Sequence, residues 1–360
     1  MSEETATTPT GPDGAARTPT RSPLLSLPGA VPADGPDAGV ALHYGDPVAE
    51  QRALANGVGF VDRSHRPVIE VGGVDRLSWL HDITSQHLSG LADGHGAEAL
   101  VLSPHGHVEH HLQVAELGGS TWLDLEPGTG AGLLEYLESM RFLLRVTPRD
   151  VGAGWAVVSL VGPGTGQTLS ALGVPEPAEP YAVVSLAGGG WARRMPWPGD
   201  DAADLMVPRD LLPQVAERLR AAGASPAGTW AFEALRVESR RPRLGLETDH
   251  RTIPHEVGWI GVAVHLDKGC YRGQETVARV QNLGRPPRRM VLLHLDGSDN
   301  TLPAHGDPVT LDGRQVGFVG TAVRHHELGP IALALVKRNT PERAVLSAGG
   351  VPASPDTGQE

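Results

Sequence analysis

The chain has 360 residues, of which 40% are hydrophobic and 20% charged, and its formal net charge is −12. This length can hold two or three domains with separate cores, and the acidic balance argues against a general nucleic-acid binder. The sequence contains no apolar run of 18 residues, no secretory signal and only one cysteine, so we expect a cytoplasmic protein without membrane spans or an intramolecular disulfide.

The two ends of the chain differ in composition from the part between them. Residues 1–38 contain seven prolines and no aromatic residue, a composition that buries too little apolar surface to become ordered. We therefore predict a disordered leader over 1–38 and a short tail over 346–360. The ordered body is expected to comprise an α+β region of two lobes at 39–282 and a C-terminal all-β barrel at 283–345.

Apolar periodicity predicts a strand, a helix and then an antiparallel meander in the first lobe. Residues 68–71 read as a strand closed by two glycines, and apolar residues at near-helical spacing follow from Val74 to Ile83. Three strand-like runs come next, at 97–103, 107–117 and 121–126.

The second lobe repeats a mixture of strands and helices. We predict strands at 155–161, 181–186 and 191–195, and helices ending near 172 and spanning 211–222 and 230–239. The long gaps between similar runs favour an α+β arrangement over a regular parallel one. Short strands follow Gly284, and the Asp312-Gly313 pair predicts a hairpin turn between two of them.

The segment 268–271 is compositionally unusual. Lysine, cysteine and tyrosine together fill seven of 360 positions, yet three of them stand in Lys268-Gly269-Cys270-Tyr271. We predict a strand at 262–266 and a helix at 274–282, which places Cys270 in a tight loop before a helix N-terminus. The helix dipole, Lys268 and Arg272 would all favour the thiolate. The alternative is an inert small residue in a turn.

Residues 268–275, read as Lys-Gly-Cys-Tyr-Arg-Gly-Gln-Glu, resemble the K-G-C-Y-x-G-Q-E signature of the YgfZ family, which is related to glycine-cleavage aminomethyltransferases. Segments 234–238 and 253–258 resemble upstream blocks of that family. Segment 61–66 resembles the start that both families share, and the segment from 306 to 334 resembles their last barrel. The resemblance covers about residues 40–345.

The resemblance implies a three-lobed aminomethyltransferase-like fold with tetrahydrofolate in a central channel. It also implies a role in the assembly or repair of iron–sulfur enzymes, including some that modify tRNA, with iron–sulfur client or assembly proteins as partners. Carried over residue by residue, it gives Cys270 and Lys268 as catalytic residues, and Arg236, Asp204, His110, Tyr271 and Gln274 as cofactor-binding residues.

The chain departs from the aminomethyltransferases at one strand. Their G-G-x-x-D-D-x-x-V stretch corresponds to residues 106–114, where His110 and His111 replace both acids. Simple strand alternation would point His110 alone inward. Because a neutral imidazole cannot supply a carboxylate's charge, this replacement argues against ordinary aminomethyl transfer.

Several readings remain open from the sequence. The first is a tetrahydrofolate-binding accessory protein for iron–sulfur enzymes, with Cys270 as its reactive thiol. The second is a folate-dependent aminomethyl- or methyltransferase acting on a small amine, and the third is a folate-binding scaffold without chemistry. Asp204 and Arg236 could instead be surface residues. The histidines near 105–111 and at 325–326 lack a metal-site motif, so we expect no metal.

Overall fold

The computed structural model describes residues 21–199 and 201–357. The elements of its first part, in chain order, are β1 (Val31–Pro32), β2 (Ala41–His43), α1 (Pro47–Asn56), β3 (Gly59–Asp62), β4 (Val68–Gly72), α2 (Arg76–Ile83), β5 (His95–Leu102), β6 (Val108–Leu117), β7 (Ser120–Leu125), α3 (Gly130–Ser139) and β8 (Thr147–Asp150). In the described part of the chain, no helix is long and apolar enough to cross a membrane.

The second part contains another sheet and the C-terminal barrel. Its elements, in chain order, are β9 (Trp155–Val161), α4 (Thr165–Ala171), β10 (Val183–Ser185), β11 (Trp191–Met195), β12 (Ala202–Pro208), α5 (Leu212–Ala221), β13 (Ser225–Ala227), α6 (Thr229–Glu238), α7 (Gln274–Leu283), β14 (Arg288–Leu295), β15 (Pro308–Leu311), β16 (Arg314–His325), β17 (Gly329–Lys337), β18 (Leu346–Ala348) and β19 (Val351–Pro355).

The first sheet has the strand order β5-β6-β7-β4-β8. The predicted meander of β5, β6 and β7 is confirmed, since each pairs antiparallel with the next. Helices α2 and α3 cover one face of this sheet, where Trp79, Leu80 and Leu133 pack against Leu112 and Val114 of β6. The opposite face is therefore free to carry polar groups toward the rest of the molecule.

The second sheet has the order β10-β11-β12-β9-β3-β13. Strand β3 belongs to the first part of the chain but pairs with β9, so the two lobes are interlocked. The core of this lobe lies beneath α5, where Leu212, Ala216 and Leu219 pack against Leu160 of β9 and Leu205 of β12.

The C-terminal strands close into a barrel in the order β14-β17-β16-β15-β18-β19. Asp312 and Gly313 form the turn between β15 and β16 with positive φ angles of 49° and 75°, the conformation that a two-residue hairpin of type I′ requires. The predicted fold class, mixed α and β with a C-terminal all-β barrel, is confirmed.

The predicted leader and tail are both too long. Residues 1–20 lie outside the described part, but residues 21–38 are packed: Leu24 is 2% exposed in the core of the second lobe, and Ser22 donates to Asp62. Residues 346–355 form β18 and β19 of the barrel. Proline and serine obscure the period-2 alternation of β18 and β19 in the sequence, and few apolar residues, among them Leu24, hold the N-terminal segment in place.

The strand predicted at 262–266 is also wrong. The chain turns there, and only Val264 makes an isolated bridge, to Ile260. Gly258 and Gly261 take positive φ angles of 79° and 80°, and the amides of Ala263 and Val264 both donate to Trp259. Two left-handed glycines interrupt the extended backbone that the apolar run suggested. The helix predicted at 274–282 is confirmed and ends at Gly284.

Candidate functional site

The polar face of the first sheet looks toward the second lobe. Cross-strand pairing puts Glu98 opposite Gln113, and Gln113 opposite Asp124, on the face that α2 and α3 leave uncovered. Arg193 of β11, which is fully buried, donates to Asp124 across the lobe boundary at 2.8 Å. The face thus forms one wall of the molecule's centre.

Buried arginines connect carboxylates from both lobes and the barrel side. The ion pairs, with their N–O distances, are Arg193–Asp204 (3.1 Å), Arg66–Asp124 (3.1 Å), Arg66–Glu126 (2.8 Å), Arg243–Glu126 (2.8 Å), Arg243–Asp37 (2.9 Å), Arg243–Glu233 (3.2 Å), Arg236–Glu233 (2.8 Å) and Arg236–Glu247 (3.1 Å). Desolvation alone would raise the pKa of Glu126, but Arg243 and Arg66 hold that pKa well below its usual value. These groups therefore remain charged in the interior.

A pocket lies at the centre of this network, and its enclosed volume of about 10 Å³ has room for little more than one water molecule. We call it the central pocket, and its lining residues are Asp37, Arg63, His65, Arg66, Thr229, Phe232, Glu233 and Arg243. They come from the N-terminal segment, the loop after β3, helix α6 and the loop that follows α6. Three guanidinium groups and two carboxylates line the pocket. Arg66 and Arg243 also pair with Glu126 outside the lining, so the pocket as it stands is close to neutral.

Two polar atoms of the central pocket have no partner among the described residues. They are Nδ1 of His65 and Oγ1 of Thr229, both buried. The Arg63 guanidinium lies 4.5 Å from the ring centroid of Phe232, and burial together with the nearby Arg66 lowers the pKa of Arg63 to about 10. Twelve other buried side-chain atoms of the described residues also have no hydrogen-bond partner, and a water or a ligand completes the hydrogen bonding at such places.

The predicted cofactor residues Asp204 and Arg236 belong to the ion network and not to the pocket lining. Asp204 accepts hydrogen bonds from Ser159 at 2.6 Å and from Arg193 at 3.1 Å. It meets the pocket through Arg63, 3.8 Å away. Arg236 is fully buried between α6 and the barrel, where it also donates to Thr321. Neither is the surface residue that the alternative reading described.

Strand alternation places His110 correctly on the face of Leu112, but a β-bulge in β6 moves Val108 off that face. Val101 pairs with His110 and Leu102 with Val108, so Glu109 is the extra residue. His110 shares the face of Leu112 and packs toward α3, where a Cβ on Gly132 would lie 3.4 Å from its ring. His111 instead lies on the central face, where its Nε2 is 2.8 Å from Glu98.

The Glu98 carboxylate is ionised and fully engaged. It also accepts a hydrogen bond from Tyr181 of the second lobe. Burial would raise its pKa, yet the hydrogen bond and charge of His111 and the bond from Tyr181 lower that pKa to about 2. The ring of His111 packs 4.8 Å from Trp259. A carboxylate therefore stands near the position of the missing acids, but it comes from β5.

His110 should make the protein sensitive to acid. Burial lowers the pKa of His110 to about 4 from its ordinary value of 6.5, so between these pH values the unfolded chain binds the extra proton. The free energy of unfolding should then fall by about 2–3 kcal/mol as the pH drops from 6.5 to 4. Chemical denaturation across this range should show a smaller loss in His110→Asn. The exposed His105→Asn should behave as wild type, and an unchanged pH profile in His110→Asn would contradict the assignment.

The loop that carries Cys270 is anchored on both sides of an exposed thiol. Cys270 is free and exposed, whereas Lys268 and Tyr271 are 7% and 8% exposed. The Lys268 Nζ donates to the carbonyls of His81, Thr84 and Gln86. Burial lowers the pKa of Lys268 to about 8, so at neutral pH the ammonium still offers three donors to three acceptors.

The remaining loop residues point to the same anchoring role. Gln274 donates to the Lys268 carbonyl at 3.3 Å, and Arg272 pairs with Glu109 at 3.1 Å. Gly273 has a φ of +82°, and a Cβ there would come within 2.5 Å of the Ser103 carbonyl. The side chains of Lys268, Arg272 and Gln274 thus have partners other than Cys270, and none of these partners lines the central pocket.

The sequence alone indicated neither the pocket nor most of its lining. Arg63, His65 and Arg66 were noted only within the family-like segment 61–66, and Arg243 was not singled out. Thr229 and Phe232 gave no signal, because a threonine and a phenylalanine on a helix are ordinary. Within the described residues, no group of three or more histidine, cysteine or acidic side chains is arranged to hold a metal ion.

Two family models match the chain. The model of the GCVT N-terminal domain covers residues 43–268, and that of the glycine cleavage T-protein C-terminal barrel domain covers residues 288–349. Together they include both lobes and most of the barrel.

Three individual proteins that resemble the chain share less than 30% of its sequence in the aligned regions. An aminomethyltransferase of Herpetosiphon aurantiacus is 27% identical over 82% of this chain and 83% of its own length. A chloroplastic Arabidopsis thaliana protein, provisionally named a transferase, is 27% identical over 74% of this chain, which spans 62% of that relative's length. The glycine cleavage system aminomethyltransferase T of Bartonella henselae superposes with a TM-score of 0.82, covering 92% of this chain and 93% of the other at 19% identity, which shows a common fold.

Proposed function

The chain belongs to the family of the glycine cleavage T-protein, and from that membership we propose that it binds tetrahydrofolate in the central pocket and serves a folate-dependent transfer of a one-carbon unit from a small amine. Relatives named aminomethyltransferase support the reaction class. The narrower resemblance to the YgfZ group rests mainly on residues 268–275.

The observation that carries the proposal is the pair of unpartnered atoms in the central pocket. A buried hydroxyl or imidazole nitrogen without a hydrogen bond costs about 1–3 kcal/mol. Thr229 Oγ1 and His65 Nδ1 both carry this cost beside Arg63 and Phe232. A pteridine offers donors and acceptors on its ring edge and carboxylates on its tail, so it can satisfy both the polar atoms and the arginines.

The chemical groups that line the pocket suit tetrahydrofolate, but the pocket is smaller than this ligand. Arg63 and Arg243 can hold carboxylates, Phe232 offers a ring face, and Thr229 and His65 can orient the pteridine edge. When bound, tetrahydrofolate would supply the amine nitrogens that accept the one-carbon unit. The enclosed volume of about 10 Å³ is far below the roughly 300–1,000 Å³ of most small-molecule sites. Binding therefore requires part of the lining to move.

The chain's contribution to transfer is binding and positioning. His110 and His111 stand where the aminomethyltransferases carry acids, and Glu98 is already occupied by His111 and Tyr181. The arginines around the pocket are held by ion pairs without ligand, so these groups need little reorganisation when one binds.

A second candidate function is favoured by the exposed cysteine. Cys270 stands between two buried anchors on a loop whose sequence resembles the YgfZ signature. In this reading the protein binds tetrahydrofolate and uses the thiol in the assembly or repair of iron–sulfur enzymes, including some that modify tRNA. One cysteine cannot hold a cluster alone, so the other ligands would come from a client or assembly protein.

Thr229→Val tests folate binding at the pocket. The change replaces an unpartnered hydroxyl by a methyl group of similar size, so the free energy of unfolding should stay the same or rise slightly. Affinity for tetrahydrofolate should fall about tenfold, the value of one hydrogen bond to a buried group. Calorimetric titration and chemical denaturation measure the two effects. Thr357→Val, outside the pocket, serves as the control, and unchanged affinity in Thr229→Val would remove Thr229 from the site.

Cys270→Ala separates the two candidate functions. The thiol is exposed, so the free energy of unfolding and the affinity for tetrahydrofolate should change little. If the protein is a transferase, one-carbon transfer from a small amine to tetrahydrofolate by the purified protein should persist in Cys270→Ala. Lower activity of iron–sulfur enzymes in cells carrying Cys270→Ala, without such transfer in wild type, would instead establish the accessory role.

A further inference from the structure

The N-terminal segment forms the outer wall of the central pocket. We call residues 33–40 the strap. Its ends are fixed by the buried Ala33 and Val40, while Asp34 and Pro36 between them are exposed. Asp37 points the other way and lines the pocket. The strap therefore separates the pocket from solvent on this side.

Asp37 occupies the cationic part of the pocket. Its Oδ1 accepts from His65 Nε2 at 3.0 Å and from Arg243 Nη2 at 2.9 Å, and its Oδ2 accepts from Arg243 Nη1 at 3.1 Å. This two-oxygen pairing with one guanidinium is the arrangement that a free carboxylate adopts with arginine. Arg243 keeps Glu126 and Glu233 as further partners, so it remains compensated when Asp37 leaves.

The pocket is both too small and too nearly neutral with Asp37 in place. Its enclosed volume is about 10 Å³, which holds little more than one water molecule. Without Asp37, three arginines would face a single lining carboxylate, Glu233. Displacing the strap would therefore enlarge the pocket and, at the same time, free the Arg243 guanidinium to bind both oxygens of a ligand carboxylate.

We propose that the strap is a latch in which Asp37 occupies the seat of a ligand carboxylate, and that a pteridine with a glutamate tail enters by displacing Asp37 from Arg243 and His65. This inference rests on the proposed binding of tetrahydrofolate and adds the group that controls it. Asp34 and Pro36 belong to the part that moves, and Leu24 and Val40 belong to the parts that stay packed.

The latch makes a quantitative prediction about affinity. When the competent state is a fraction of the population, the apparent dissociation constant rises by the inverse of that fraction. If the open strap is populated at about one part in ten, weakening the latch should tighten binding about tenfold. The gain should depend on the ligand's carboxylate, because that group competes with Asp37.

The test compares Asp37→Asn with wild type by titration of two probes, tetrahydrofolate and tetrahydropterin, which lacks the glutamate tail. Asp37→Asn should bind tetrahydrofolate about tenfold more tightly and gain much less for tetrahydropterin. Asp34→Asn removes the same charge from the exposed side of the strap and should behave as wild type. In wild type, tetrahydrofolate should also speed hydrogen exchange at the backbone amides of residues 34–38.

The outcomes separate the latch from the proposed function. If wild type binds tetrahydrofolate but Asp37→Asn binds no more tightly, or gains equally for both probes, the carboxylate seat is wrong and the folate site stands. Binding seen only in Asp37→Asn supports both ideas. Absence of binding in wild type and in Asp37→Asn overturns both, and slower exchange in the strap on ligand addition contradicts the latch even if the variant fails to fold.

Discussion

Replacement of Arg236 by methionine should lower the free energy of unfolding by about 3–5 kcal/mol, the cost of removing one partner from a buried ion pair. Arg236 is fully buried and binds Glu233 at 2.8 Å and Glu247 at 3.1 Å. It also donates to the hydroxyl of Thr321 in β16 at 2.7 Å. Glu247 is itself fully buried, so the variant would leave its charge without this arginine.

A matched control stands at the end of the same helix. Arg240 pairs with Asp356 at 2.7 Å, but its side chain is 46% exposed, and exposed pairs contribute about 0.2–1 kcal/mol. Arg240→Met should therefore change the unfolding free energy by less than 1 kcal/mol. Urea denaturation measures both variants. Equal, small effects would show that Arg236 is not a structural junction and would reopen a direct role in ligand binding.

Replacement of Lys268 by methionine should have the second-largest effect, a loss of about 2–3 kcal/mol in the free energy of unfolding. The ammonium joins three carbonyls at the end of α2, and methionine would leave those of His81, Thr84 and Gln86 without it. The loop of residues 267–273 should then exchange its amide hydrogens faster. This result would make Lys268 a positioning residue for Cys270 and not a catalytic group.

The chain provides its own control, because it has only one other lysine. Lys337 is exposed and makes one hydrogen bond, to the carbonyl of Gln315 at 3.1 Å. Lys337→Met should change stability by about 0.5 kcal/mol or less, as surface substitutions do. If Lys268→Met is equally mild and the exchange of residues 267–273 is unchanged, the anchoring described for the Cys270 loop is wrong.

Elements with a clear period were predictable from the sequence. Strands β5 to β7, helix α6 and the Asp312-Gly313 turn follow from alternation, helical spacing and turn chemistry, which are local properties. The predictions that failed did so because of single residues that alter the backbone locally. A single extra residue, Glu109, reverses the face of Val108 relative to His110. Two left-handed glycines, Gly258 and Gly261, turn the chain just before the strand expected at 262–266. Neither the bulge nor the turns can be recognised from residue composition or hydrophobicity along the chain.

The candidate site was harder to predict, because it is assembled by long-range charge pairing. Arg243 contacts Asp37 across 206 positions of the sequence and Glu126 across 117. No pattern along the chain shows which arginine finds which carboxylate. The family resemblance drew attention to segment 61–66. Only the fold, however, shows that Arg63 lies beside Phe232 and that Thr229 has no hydrogen-bond partner.

The ion network also changes the role expected of the predicted folate residues. Asp204 and Arg236 are saturated by protein partners, so they stabilise the walls of the pocket and hold the groups that line it. In the proposed function, ligand contact is assigned instead to residues that line the pocket, namely Arg63, Thr229 and Arg243. Variants of Asp204 would therefore affect affinity mainly through loss of structure.

The most direct test is calorimetric titration of tetrahydrofolate into the purified wild-type protein. The account predicts a single site with a dissociation constant on the order of micromolar, about −8 kcal/mol, and weaker binding in Thr229→Val. If millimolar tetrahydrofolate produced neither binding heat nor a rise in the melting temperature, the account would be contradicted. In that case the unpartnered atoms of the central pocket would need another ligand, and the family likeness would be one of fold alone.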